Sequence, residues 1–435
     1  MFDLVCKVTK YFCIFARLFY GFCMDYSEAI QTLYNQAPMF SHIGKAGYKE
    51  GLENTIYIDK YYHEPHRSFH TIHVAGTNGK GSTSHLIAAS LQKSGLRVGL
   101  YTSPHIVDFS ERIKVNGENI SHDYVARFIE EAQPLIQEVQ PSFFEITTSL
   151  AFCYFRDMRV DVAVVEVGLG GRLDCTNVIN PLVSVITNIS LEHTDLLGDT
   201  VEKIAWQKAG IIKECVPVVV GERDESYYHV FEDEAKLKNT SIVERYEGCV
   251  PRSELKGEHQ RRNERTAWMA LNVVRDRFGV SDEDIRYGYE HVCEMTGLIG
   301  RWQVVREQCP RIILDVGHNE GCLKVDVEEL KHEQYVDLKI VFGVVSDKDY
   351  RKMLAVMPCE AEYYYVEANI PRALNAETLA EVGNELGRAG KTYGKVANGL
   401  RTAISEASDN DLVLVCGSFY VVADAINSGI LRYTE

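Results

Sequence analysis

From residue 69 onward the chain alternates short apolar runs with longer amphipathic ones. Phe69–Ala75, Arg97–Thr102, Val160–Val167, Leu182–Thr187 and Val216–Val220 are rich in β-branched residues, which predicts strands. The run Val160-Asp161-Val162-Ala163-Val164-Val165-Glu166-Val167 is apolar almost throughout, the pattern of a strand buried on both faces. Between these runs, Ser84–Lys93 predicts a helix that Gly95 stops. Ser121–Val139 predicts one amphipathic helix, with Ala126, Phe128, Ile129, Ala132 and Ile136 on its apolar side, and Phe144–Phe155 a second, more apolar one. Strands alternating with helices predict a mostly parallel sheet covered on both sides. Residues 222–258 are charged and irregular and read as a surface excursion before a helix over Asn263–Phe278. A boundary is expected near Thr296-Gly297-Leu298-Ile299-Gly300. Beyond it, Arg311–Asp315, Leu338–Val345, Glu362–Glu367 and Asp411–Gly417 predict the strands of a second α/β series.

Composition narrows the picture. A chain of 435 residues is longer than one core usually serves, so two or three domains are expected. With 46 basic against 62 acidic residues the net charge is −16, which argues against nucleic acid as a partner but leaves small anions open. The twelve cysteines show no Cys-x-x-Cys spacing, and reduced, buried thiols in a cytoplasmic protein are expected. Residues 1–23 are apolar and aromatic, with Lys7, Lys10 and Arg17. Tyr11–Cys23 is too short to span a bilayer and is broken by Arg17, and no small-residue cleavage site follows. This stretch reads as an extension ahead of a functional start at Met24, with no membrane association.

The most informative segment is Gly76-Thr77-Asn78-Gly79-Lys80-Gly81-Ser82, between a predicted strand and a predicted helix. Gly76, Gly79 and Gly81 let the backbone turn its N–H groups toward a phosphate chain. Lys80 can reach outer phosphates, and Ser82 offers a hydroxyl to a bound magnesium ion. Strand, glycine loop and helix together aim a helix N-terminus at an anion. The expected fold is therefore α/β: a P-loop ATPase domain with a mostly parallel sheet over residues 24–298, and a smaller Rossmann-like α/β domain over 299–435.

Ligands of open α/β sheets bind at the carboxyl ends of the strands. Ser103, Glu166 and His193 follow three such ends, and a hydroxyl, a carboxylate and an imidazole beside a phosphate loop suit a divalent cation. Each taken alone is also an ordinary hydrogen-bonded strand-end residue. Lys208, near the end of a helix, reads by residue type as a solvated lysine. In the second series Asp315, His318 and Asn319 follow a strand, and Arg301 precedes them, either reaching phosphates across a cleft or pairing at the boundary.

The phosphate loop resembles that of the Mur ligase superfamily. Thr102-Ser103-Pro104-His105, Phe109-Ser110-Glu111-Arg112-Ile113, Glu166 with Gly168-Leu169-Gly170-Gly171-Arg172-Leu173-Asp174, and Lys208-Ala209-Gly210 resemble the folylpolyglutamate synthase family, including its bifunctional form with dihydrofolate synthase activity. The resemblance runs from about Met24 to the C-terminus. It implies an ATP-dependent ligase that adds L-glutamate to dihydropteroate or to reduced folates through an acyl phosphate. It implies two Mg2+ ions held by Ser103, Glu166 and His193, with Lys208 carbamylated. Lys80, Lys208 and His193 would carry catalysis. Gly76, Thr77, Asn78, Gly79, Lys80, Gly81, Ser82, Asn263, Arg301, Asp315 and His318 would contact the nucleotide. Ser142, Phe143, Phe144, Glu145 and Asp174 would line the pteroate pocket. A monomer is implied. Three positions depart from the family pattern: Gly317 stands before His318 where alanine is usual, Glu192 before His193 where aspartate is usual, and Ser142 where threonine is common. A muramyl-peptide ligase of the same superfamily is the alternative, against which the Ser142–Glu145 segment speaks. A nucleotide-binding regulator without turnover is another, against which the retained Lys80, Glu166, His193 and Lys208 speak.

Overall fold

The computed structural model describes residues 24–36 and 51–431, so the expectation for residues 1–23 lies outside the described residues. The first sheet contains β1 (His70–Ala75), β2 (Val98–Tyr101), β3 (Ile113–Val115), β4 (Glu118–Asn119), β5 (Val162–Glu166), β6 (Val183–Ile186) and β7 (Val218–Val220) in the order β4-β3-β2-β5-β1-β6-β7. The five strands from β2 to β7 in that order are parallel, and the β3–β4 hairpin is added antiparallel at one edge.

β5 is buried along its whole length. Its alternate residues enter opposite layers, as period-2 geometry requires. Ala163 and Val165 pack with Phe143, Ile146, Leu150 and Phe155, while Val162 and Val164 pack with Leu86, Ile87, Ala267 and Leu271. The first layer is built on α2 (Phe143–Asp157). The second is built on α1 (Lys80–Lys93) and α4 (Glu258–Phe278). Between them in sequence, α3 (Val201–Ala209) packs Ile204 and Ala205 beneath β6 and β7.

Two expectations change here. The single helix over Ser121–Val139 is two, His122–Glu131 and Gln133–Val139. Pro134 lacks the N–H that a continuous helix needs and its ring would meet the carbonyl of Glu130, so it sits in the first turn of a new helix instead. The charged segment 222–258 also carries a helix, Tyr228–Leu237, anchored by the fully buried Phe231.

The second sheet contains β8 (Gln303–Arg306), β9 (Arg311–Leu314), β10 (Leu338–Phe342), β11 (Glu362–Glu367), β12 (Gly390–Lys395) and β13 (Leu412–Cys416) in the order β12-β11-β10-β13-β9-β8. Only the β8–β9 pair is antiparallel. β8 and β12 had no signal in the sequence. β12 is the edge strand Gly-Lys-Thr-Tyr-Gly-Lys with no fully buried residue, and backbone pairing to β11 rather than an apolar face makes it a strand. α5 (Glu320–Leu330) follows β9 and is capped by the Asn319 side chain, which accepts the Cys322 N–H at 2.9 Å. Nine described cysteines are free; Cys153 and Cys416 are buried as expected, whereas Cys215, Cys249, Cys309 and Cys359 are exposed. Among the described residues no helix is long and apolar enough to cross a membrane.

Candidate active site

The phosphate loop joins β1 to α1, and two of its glycines are obligatory. Gly76 has φ 147°, and a Cβ there would fall 1.8 Å from Thr187 Oγ1; Gly79 has φ 81°, and its Cβ would fall 2.2 Å from Asn263 Oδ1. The segment after β6 braces the loop. Thr77 N–H donates to the Asn188 carbonyl at 2.9 Å, Asn78 N–H to Asn188 Oδ1 at 2.8 Å, and Thr187 Oγ1 to the Asn78 carbonyl at 2.6 Å. Thr77 Oγ1 exchanges hydrogen bonds with the backbone of Ser190. Thr187, Asn188 and Ser190 were missed in the sequence, where their only signal is a position just past a strand end.

Lys80 folds back to donate to the carbonyls of Gly76 and Thr77 at 3.0 and 3.1 Å. Lys208, at the end of α3, donates to the same Gly76 carbonyl at 2.8 Å and is 4% exposed. It is therefore not the solvated lysine its residue type suggested. Burial, then repulsion from Lys80, lowers its pKa to about 7.

Glu166 ends β5, is 3% exposed and accepts the Ser103 N–H at 3.2 Å. Burial pushes its carboxyl up to about 7 against the pull of Lys80. A Cβ on Gly81 would lie 3.7 Å from Glu166 Oε2 and 3.8 Å from Arg301 Nη2, so a carboxylate from the first half and a guanidinium from the second border one space over the start of α1. His193 follows β6 with φ 48°. Burial, with Lys348, Lys80 and Lys208 outweighing Glu192, lowers the His193 imidazole to about 4 and leaves it neutral at pH 7. Neighbouring Glu192 approaches both His193 Nε2 (3.9 Å) and His318 Nε2 (3.8 Å). Burial opposes charge on Glu192, but the facing His318 and His193 imidazoles and the nearby Lys80 cation outweigh it and hold the carboxyl well below its usual range.

From the second sheet, Asp315 follows β9 and accepts N–H groups of Trp302 and Gly317, both at 2.7 Å. Phe419, unremarked in the sequence, packs against both residues of this side: its ring lies 5.0 Å from that of His318, tilted to it, and 5.6 Å from the Arg301 guanidinium carbon. Its signal is the turn Gly417-Ser418-Phe419 after β13. Asn263 lies on α4 with its Oδ1 over Gly79 and its Nδ2 donating to Gln260 at 2.8 Å. Cys322 Sγ contacts Asn78 Oδ1 at 3.7 Å, tying the two halves together at the loop itself.

The Ser142–Glu145 segment divides. Ser142 and Glu145 form the capping box of α2, Ser142 N–H donating to Glu145 at 2.6 Å and Glu145 N–H to Ser142 Oγ at 3.3 Å. Phe143 is fully buried in the core. These three are occupied in building the helix. Phe144 instead faces Gly168, next to Asp174. The Asp174 carboxylate accepts from Leu169 N–H at 2.8 Å, from Thr176 N–H at 3.0 Å and from the Thr176 hydroxyl, while burial pushes it up.

Among the described residues no group of three or more His, Cys, Asp or Glu is clustered to hold a metal. The set Ser103, Glu166 and His193 is poorer than a protein-only cage. It suits a cation that keeps water and phosphate oxygens in its shell, as Mg2+ does. The neutral imidazole is the form a cation engages, and a cation beside Glu166 would offset the burial that raises its carboxyl.

The chain matches known proteins over most of its length. Residues 74–256 match the Mur ligase middle domain, and residues 300–419 the Mur ligase glutamate ligase domain. It is 35% identical to a probable bifunctional folylpolyglutamate synthase/dihydropteroate synthase of Haloferax volcanii, over 92% of this chain and 50% of that protein. It thus spans about half the length of that relative. It is 32% identical to the dihydrofolate synthase/folylpolyglutamate synthase of Bacillus subtilis, over 90% of this chain and 98% of that one. The solved structure of E. coli FolC in complex with DHPP and ADP superposes with a TM-score of 0.79 at 29% identity, covering 93% of this chain and 97% of the other.

Proposed function

Because the chain belongs to the dihydrofolate synthase/folylpolyglutamate synthase family, we propose that it is an ATP-dependent ligase joining L-glutamate to the carboxylate of dihydropteroate or of a reduced folate. The observation that carries this is the meeting of Glu166 and Arg301 over Gly81, with Lys80 and Lys208 gathered on Gly76. An acid group is a poor electrophile. In the proposed reaction its oxygen attacks the γ-phosphorus of ATP and ADP leaves. The glutamate amine then attacks the acyl carbon, loses a proton and expels phosphate, leaving the amide.

The backbone of Gly76–Ser82 cradles the phosphates, and Lys80 turns from the loop carbonyls to the transferred group. Ser103, Glu166 and His193 hold Mg2+, which offsets charge on the phosphoryl oxygens when bound. Lys208 serves as a carbamate: an amine lowered to about 7 has a substantial neutral fraction under physiological conditions, the form that adds CO2. Asn263 contacts the adenine, and Arg301, Asp315 and His318 contact the nucleotide from the second sheet. Phe144 and Asp174 line the pteroate pocket. Residues 24–298 form the nucleotide domain and 299–435 the glutamate domain of a cytoplasmic monomer.

The test is phosphate release from ATP with L-glutamate and either dihydropteroate or tetrahydrofolate. Glutamate-dependent release is expected. Release with both acceptors assigns both activities, release with one assigns that activity alone, and none with either overturns the proposal.

A further inference from the structure

Behind Asp315 lies a second acid that the proposed reaction does not use. Asp326, on α5, is 4% exposed, and its Oδ2 is buried without a hydrogen-bond partner. A Cβ placed on Gly317 would lie 2.7 Å from Asp326 Oδ2 and 3.2 Å from Asp315 Oδ1, so the two carboxyl groups border the same small volume. Two ionised carboxylates are both acceptors and make no bond with each other. One proton between them supplies the missing donor and removes a repulsion that burial would magnify.

The two acids are not equivalent. Asp315 already accepts two backbone N–H groups and faces Arg301 and His318. Asp326 sits among Asp315, Glu329, Cys322 and Cys416, with the Arg301 cation acting on it. Burial first, then Asp315, raises the Asp326 carboxyl well above the usual range.

We propose that Asp326 is a positioning residue of the nucleotide site, donating a hydrogen bond to Asp315 and fixing the orientation of that carboxylate behind the phosphate loop. This rests on the reading of Asp315 as a nucleotide contact. The protonated acid makes Asp315 a single oriented acceptor rather than half of a repelling pair. Cys322, which touches Asn78 of the loop, packs on the same volume, so a displaced Asp315 is felt at the loop directly.

The experiment measures Mg2+–ADP affinity by calorimetry at about pH 6.5 and about pH 9.5, the higher pH favouring loss of a shared carboxyl proton. Asp326→Asn keeps the donor and cannot ionise. Asp326→Leu has similar bulk and no donor. Glu166 and Lys208 titrate over the same range in every variant, so the reading is the ratio to Asp326→Asn at each pH. The native protein is expected to match Asn at the lower pH and to bind about tenfold more weakly than Asn at the higher, and Leu about tenfold more weakly than Asn at both. Equal affinities for Asn and Leu, or the same pH dependence in Asn as in the native protein, overturn the inference. If the Leu variant does not fold, the native–Asn comparison still decides. Asp315→Asn separates the two readings. If it binds ADP as the native protein does, Asp315 is not a nucleotide contact; if it binds weakly while Asp326→Leu binds normally, only the role of Asp326 falls.

Discussion

Lys80 and Lys208 donate to one backbone carbonyl, that of Gly76, at 3.0 and 2.8 Å. Two ammonium groups on one oxygen repel, and the buried member yields: the Lys208 pKa lies at about 7 through burial and then Lys80. Adding CO2 to Lys208 would convert this repulsion into attraction, since a carbamate beside Lys80 is an ion pair. Removing dissolved CO2 is therefore expected to lower turnover, and bicarbonate to restore it. Lys208→Ala should lower kcat about 100-fold and change the Kd for ADP less than about threefold. Steady-state assays with and without bicarbonate, and calorimetry with ADP, check both parts. A Lys208→Ala variant of native turnover would remove Lys208 from the reaction.

Glu166 is an acid whose folded pKa, about 7, lies above its ordinary value of 4.5. The folded state thus binds more protons than the unfolded one between these values, and stability falls as pH rises through that window. Above it the metal-free protein carries a destabilisation of at most about 3 kcal/mol at this site. Glu166→Gln is expected to raise the Tm of the metal-free protein at pH 8 while abolishing glutamate-dependent phosphate release, a stability gained at the expense of function. Calorimetric melting at pH 5 and pH 8 checks the sign: the gain should be largest at pH 8 and should vanish near pH 5.

The fold and the site differ in how far they could be read from the chain. β1, β5 and α1 were legible because β-branched runs and a glycine loop encode them locally. β12 was not, because its polar residues become a strand only through pairing with β11. The same division holds in the site. The glycines, Lys80 and Glu166 stand in motifs, whereas the braces Thr187, Asn188 and Ser190 are ordinary polar residues whose role arises from the parallel neighbour strand. Lys208 misled on its own, since nothing in a helical lysine tells that α3 points it under the loop. Ser142 and Glu145 fit the capping-box pattern directly, and that local pattern gives them a role in starting α2.

A third expectation concerns acid stability. His73, on β1, is fully buried; its Nε2 bonds to Thr176 Oγ1 at 2.8 Å and its Nδ1 has no partner. Burial, then Lys213, lowers its pKa to about 3 from an ordinary 6.5. The unfolded state therefore takes up a proton that the folded state refuses between these values. Stability is complete above pH 6.5 and is lost as pH falls toward 3, by at most about 1.4 kcal/mol per pH unit from this group. His73→Gln keeps a hydrogen-bonding side chain and cannot charge. Its urea-unfolding free energy should fall less steeply than that of the native protein between pH 6 and pH 4. Parallel slopes would remove His73 from the acid response.

The phosphate-loop glycines separate conformational need from close approach. Gly79 combines φ 81° with a Cβ site 2.2 Å from Asn263 Oδ1, so Gly79→Ala is strained in its backbone and pushes Asn263 off the loop. Gly81 lies in α1 with its Cβ site 3.7 Å from Glu166 and 3.8 Å from Arg301, ordinary contacts that require no movement. A methyl there would not strain the protein alone, but it stands between the carboxylate and the guanidinium where the phosphates are proposed to lie. Gly79→Ala should therefore lower Tm and weaken ADP binding together, with a backbone cost of about 1–2 kcal/mol. Gly81→Ala should leave Tm within about one degree and weaken ADP binding alone, because helix propensity favours alanine while the ligand loses space. Melting curves and ADP calorimetry on the two variants check this. Equal losses of Tm would show that both glycines serve the fold, and tight ADP binding by Gly81→Ala would move the phosphates away from the space between Glu166 and Arg301.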